Sequence, residues 1–110
     1  MQFIFFVCTD GSADKYEPAD DNIEQWGAEM DARGVRSVGE MLVSPAEAMT
    51  VKRRGGDVVV SAGPFAETKE RIAGFNLIEC ADMDEAVEIA STHPMARFGQ
   101  IEIRAVRTFE

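Results

Sequence analysis

The sequence predicts a single α+β domain on an antiparallel sheet. Three observations carry that expectation. Two runs, Phe3 to Cys8 and Ile72 to Cys80, are apolar on both faces, as strands in the middle of a sheet are. Two segments with helical spacing follow strand-like runs, and a Gly55-Gly56 pair joins two further strand-like stretches. With 110 residues, 45% of them hydrophobic and 28% charged, the chain has room for one core and composition enough to fold throughout.

Gln2 to Thr9 reads as the first strand, with Phe3, Phe5 and Val7 on one side and Ile4, Phe6 and Cys8 on the other, ended by Asp10-Gly11-Ser12. A first helix is expected over 18–33. Pro18 sits at its first turn, Ala19, Ile23, Trp26, Gly27 and Met30 form its stripe, and Arg33-Gly34 stops it. Val35 to Leu42 reads as a second strand in which Gly39 suggests a bulge. After Ser44-Pro45, Met49–Arg53 and Asp57–Ser61 form a hairpin whose tip carries Lys52, Arg53 and Arg54. Those bases suit either an anion or simple solubility of an exposed edge. Gly63-Pro64-Phe65 makes a turn, and Ala66 to Glu70 one helical turn. In the next strand, Ile72 to Cys80, Phe75 and Leu77 face one way and Asn76, Ile78 and Cys80 the other, with Gly74 a point of close approach. Asp82 and Glu85 open a second helix with stripe Met83, Ala86, Val87 and Ala90, which Pro94 ends. Gly99 to Arg107 alternates as a half-buried strand, with Ile101, Ile103 and Ala105 inward.

Strand, helix, strand, hairpin, strand, helix, strand is the split β-α-β order of a ferredoxin-like fold with an inserted hairpin. Both helices then cover one sheet face, leaving a second apolar face, expected to include Ile4, Phe6 and Ile78, in water. Pairing of two protomers through that face removes the cost, so a homodimer with a barrel-like core is expected unless the hairpin covers the face instead.

The net charge of −9 argues against a nucleic-acid partner. Residues 1–50 hold ten acids against three bases, and those from Asp10 to Asp31 suit either a partner-facing surface or a solvated helix face. The opening apolar run is too short for a signal peptide or a membrane span, so the expectation is a cytoplasmic protein with no membrane contact. Cys8 and Cys80 then read as reduced fillers of strands, and no cofactor or metal is called for.

Ala62-Gly63-Pro64-Phe65-Ala66-Glu67-Thr68-Lys69-Glu70, running on to Gly74-Phe75 and Leu77-Ile78-Glu79, closely resembles the signature of the YCII-related, or DGPF-domain, family. The order continues through Gly39-Glu40, Asp82 to Ala86, His93-Pro94 and Gly99 to Arg104, so the resemblance covers essentially the whole chain as one domain, 1–110. It implies a dimeric α+β barrel and, through the wider superfamily, acid–base chemistry associated with a histidine–aspartate pair. Some DGPF-type proteins are linked to alternative sigma factors, which implies a different class of function. Ala62 stands where the family has aspartate, so a carboxylate is missing, and Glu67 or Asp10 would have to substitute if that aspartate is an acid or base.

Candidate catalytic residues are therefore Glu67, His93 and Asp10, with Lys69 and Glu70 placed to hold an anionic ligand. His93, the one histidine, suits a general base, or else a cap on the carbonyl end of its helix. Glu67, Lys69 and Glu70 suit either a cleft or a surface salt-bridge network. Two functions stay open. One is lyase- or isomerase-like chemistry on a small, anionic metabolite in a dimer cleft; the other is a non-catalytic module binding a small ligand or protein partner.

Overall fold

The computed structural model describes residues 1–64 and 71–108. In chain order they form β1 (Gln2–Cys8), α1 (Ile23–Arg33), β2 (Arg36–Met41), β3 (Met49–Arg54), β4 (Asp57–Ala62), β5 (Ile72–Glu79), α2 (Met83–Ser91), α3 (Met95–Phe98) and β6 (Gln100–Ala105). The main sheet has the order β2-β5-β1-β6 with every neighbour antiparallel, which is the ferredoxin-like arrangement within an α+β fold. The two strands with two apolar faces, β1 and β5, occupy its centre.

Register decides which side chains meet the helices. Phe3 lies opposite Ile78 and Ala105, and Phe5 opposite Asn76 and Ile103. Paired residues share a face, so Phe3, Phe5, Val7, Asn76 and Ile78 lie under the helices. Phe3, Phe5, Trp26, Ile78 and Ile89 are the largest fully buried side chains, each worth ~1.5–3 kcal/mol on burial. Ile78 therefore belongs to the core and not, as its sequence context suggests, to the open face. The pairs Ile4–Leu77 and Phe6–Phe75 define that open face instead, and all four are half-buried.

The helices depart from expectation at their ends. Residues Pro18–Asp20 form a separate 3₁₀ turn, and α1 begins only at Ile23, because Asp21 is extended and its carboxylate accepts from the Ile23 N–H at 3.2 Å. Trp26, Gly27 and Met30 are buried, whereas Ile23 is 40% exposed. Gly34 ends α1 in the left-handed region, φ 72°. In α2 the Asp82 carboxylate accepts from Glu85 N at 2.9 Å, as expected of a cap. Ala86, Ile89 and Ala90 face the core, and Met83 and Val87 point outward. Pro94 does more than stop α2, since it caps α3 and tucks Phe98 into the fold.

The expected hairpin forms a sheet of its own, β3 with β4, turning through Gly55 and Gly56 at φ 56° and 86°. Its side chains are exposed apart from half-buried Thr50, so it does not fold back over the apolar sheet face.

Candidate functional site

A cavity of about 540 Å³ opens on the helix side of the sheet, between the start of β5, the ends of β1 and β2, the loop before α1, and the α2–α3 connection. Val7, Ile23, Met41 and Met95 give it apolar side chains, and it is bordered by β5 at Ala73 and Phe75. Tyr16, Asp21, Arg36, Glu40, Asn76 and His93 supply the polar groups.

Two of those polar groups are buried in the wall. Asn76 is 5% exposed and His93 4%. The Asn76 side chain occupies space that any residue but glycine at position 39 would take: a Cβ on Gly39 would come within 2.1 Å of Asn76 Oδ1 and 2.8 Å of an Arg36 guanidinium nitrogen. Gly39 is thus a point of close approach and not the bulge its place in the strand suggests; the β2–β5 irregularity falls between Arg36 and Val38. Gly74 does the same against the Glu40 carbonyl, 2.9 Å from where its Cβ would lie. The Asn76 amide and His93 Nε2 make no hydrogen bond to the described residues, and both atoms are open to solvent, since the fully enclosed unpaired side-chain atom among those residues is Arg71 Nη1.

His93 packs edge-on against Trp26, ring centroids 4.5 Å apart. Trp26 in turn donates from Nε1 to Thr92 Oγ1 at 2.9 Å, tying α1 to the end of α2. His93 Nδ1 accepts from Met95 N at 3.0 Å, so the histidine caps α3 and does not complement the carbonyl end of α2. With that nitrogen accepting, the ring proton belongs on Nε2. Burial, opposed by Asp21 and reinforced by the Arg36 cation, brings the His93 pKa down to about 4. At neutral pH the ring is therefore a neutral hydrogen-bond donor and a poor general base.

Asp21 and Tyr16 face the same space. The tyrosine hydroxyl donates a short hydrogen bond to Asp21 Oδ2, and the carboxylate pushes the phenol's pKa up. Arg36 reaches α1, where its guanidinium lies against Gly27, and Nε donates to Asp31 Oδ1 at 3.0 Å.

Of the residues singled out from the sequence, His93 lies in the cavity wall. Asp10 does not. Its Oδ1 accepts from Ser12 N at 2.8 Å and Ser12 Oγ at 2.7 Å, closing the turn after β1 and holding its carboxyl below the usual range. Glu67, Lys69 and Glu70 lie outside the described residues. The aspartate that shares a cavity with His93 is Asp21, which sequence reasoning assigns to a helix face. Asn76 has a signal in the sequence, a lone amide inside the apolar run Phe75 to Ile78. Both cysteines are unpaired, and burial raises their thiol pKa values, as fits packing groups. Arg97, a candidate for a basic patch, is held by Asp14 at 3.0 Å and Asp20 at 3.2 Å. Among the described residues no helix is long and apolar enough to cross a membrane.

An uncharacterized protein of Rhizobium meliloti (strain 1021) is 39% identical over 71 residues, which cover 63% of this chain and 57% of that protein. The matched stretch thus spans little more than half of the relative. The sequence profile of the YCII-related domain matches residues 1–110, the whole chain. With β1 and β5 central and the signature leading into β5, the chain belongs to the YCII-related domain family.

Proposed function

We propose that the protein binds a small, largely apolar molecule through a carbonyl or carboxylate oxygen, in the cavity that His93 and Asn76 line. One observation carries this reading: two polar side chains, each more than nine-tenths buried, border one apolar cavity, with the Asn76 amide and His93 Nε2 unbonded by the described residues. An oxygen accepting from His93 Nε2 and Asn76 Nδ2 would take the place of water on donors already fixed in an apolar wall. The residues that line the cavity can all be supplied by one protomer. The test is ligand-observed NMR with a panel of small ketones, aldehydes and carboxylates. Binders should weaken about tenfold or more with Asn76→Ala and with His93→Phe. Binding that ignores both substitutions would place the ligand elsewhere and end this reading.

Acid–base chemistry on that ligand is the second reading, favoured by Asp21 in the same wall. Asp21 would take a proton from the carbon beside the carbonyl while His93 Nε2–H donates to the oxygen that gains negative charge, a division of labour suited to an isomerase or lyase. Deuterium exchange into the α-position of a bound ketone in D₂O measures it directly. Exchange lost in Asp21→Asn supports catalysis; no exchange with the wild-type protein leaves a binding module.

The open sheet face supports a homodimer. Ile4, Phe6, Phe75 and Leu77 form a continuous apolar patch that a second copy would bury face to face, giving the barrel-like core of paired sheets. Sedimentation equilibrium of the wild type against Phe6→Asp tests this, with a monomeric wild type as the contrary result.

A further inference from the structure

The inserted ribbon is two-faced. Its register pairs Met49 with Ala62, Val51 with Val60, and Arg53 with Val58. Paired residues share a side, so one side reads Met49, Val51, Val58, Val60 and Ala62 around a single arginine, while the other is mostly polar. A lone two-stranded ribbon is marginal in water, and this one turns its apolar side outward. Met49 is 63% exposed, Val51 65%, Val58 57% and Val60 55%.

Charge indicates what covers it. From 49 to 62 the chain has three bases and one acid; elsewhere it has eight bases and nineteen acids. The natural complement of this cationic arm is thus the rest of its own sequence. An arm cannot cover its own exposed side by staying where it is, which leaves a second copy. On that copy Asp14 and Asp20 are held by Arg97, and Asp31 by Arg36, whereas Glu17 and Glu24 near the start of α1 form no ion pair among the described residues. We propose that the β3–β4 ribbon is an intermolecular arm: its valine side lies on a second copy of this chain, and Arg53, the base on that side, meets the acidic approach to that copy's α1 at Glu17 and Glu24. A nucleic acid would suit the tip but would leave the valines wet and be repelled by the rest of the chain. The proposal rests on the homodimer reading above and adds a second contact to it.

The test places the photo-cross-linker benzoylphenylalanine at position 58 of the intact chain, mixes ¹⁵N-labelled with unlabelled protein, and maps the cross-linked peptides by mass spectrometry. Mixed-isotope dimers cross-linked from position 58 to the other chain are expected. Cross-links confined to one chain, or none to protein, overturn the arm. In sedimentation equilibrium, Val51→Asp with Val58→Asp should raise the dimer dissociation constant about ten- to a hundredfold. Arg53→Glu should also weaken the dimer, and Glu17→Lys with Glu24→Lys should restore it. Phe6→Asp reports on sheet pairing separately. If it yields monomers while the ribbon variants change nothing, the sheet dimer stands and the arm falls; a wild type monomeric at every concentration removes both. The ribbon variants touch no core residue, and circular dichroism checks that they stay folded.

Discussion

Met95 donates its backbone N–H to Nδ1 of His93 across 3.0 Å, and the same bond that caps α3 selects which imidazole nitrogen is left to face a ligand. A histidine so held is a fixed dipole at neutral pH. Nitrogen NMR at pH 7 should find the Nε2–H tautomer, with protonation appearing only near pH 4.

That titration sets a pH dependence of stability. In the unfolded chain His93 takes its proton near pH 6.5, and in the folded chain near pH 4. Between those values the unfolded state binds more protons, so His93 lowers stability as pH falls through that window and has no such effect above it. The loss approaches at most about 3 kcal/mol. Urea denaturation of wild type and His93→Gln at pH 7, 5.5 and 4 should show the excess loss in the wild type only; parallel curves would contradict it.

Trp26 is the sole tryptophan, buried, and in contact with His93. Trp26→Ala should cost ~3–5 kcal/mol in urea denaturation, by cavity formation in the middle of the core. In the wild type its fluorescence should change when a ligand occupies the cavity and should be quenched as His93 protonates near pH 4.

Gly39→Ala isolates the close approach of β2 to β5. The added methyl would displace Asn76 Oδ1 and the Arg36 guanidinium, for a stability cost of ~1–3 kcal/mol. Ligand affinity should fall about as far as in Asn76→Ala, because both changes remove the same donor. Full affinity in the Gly39→Ala protein would show that Asn76 does not hold the ligand.

Asp10→Ala is the contrast. Its carboxylate serves Ser12 and lies outside the cavity lining, so ligand affinity should stay within about twofold of wild type by the same NMR titration. A large loss would bring the turn after β1 into the site.

The central strands were legible because Phe3 to Cys8 and Ile72 to Cys80 have no polar face to give to water, and the hairpin because two adjacent glycines suit left-handed φ values. What sequence could not supply was parity across the sheet. Whether Ile78 or Leu77 meets the helices depends on Phe3 standing opposite Ile78, a long-range register that no local pattern encodes. The start of α1 was misplaced because Pro18 looks like a first-turn residue, while Asp21, bonding Ile23 N and Tyr16, breaks the chain there. His93 stood out as the one histidine. Asp21 and Arg36 did not, since each reaches the cavity only through tertiary placement of a loop and an edge strand.

Trp26 comes from the first strand–helix–strand half of the chain, and His93 from the second, so the wall of the cavity is a seam. A molecule seated there would act as a fastener across it. Its binding energy would be felt as resistance to opening in both halves at once, so amide hydrogen exchange in α1 and α2 should slow together on saturation, and the melting temperature should climb with ligand concentration.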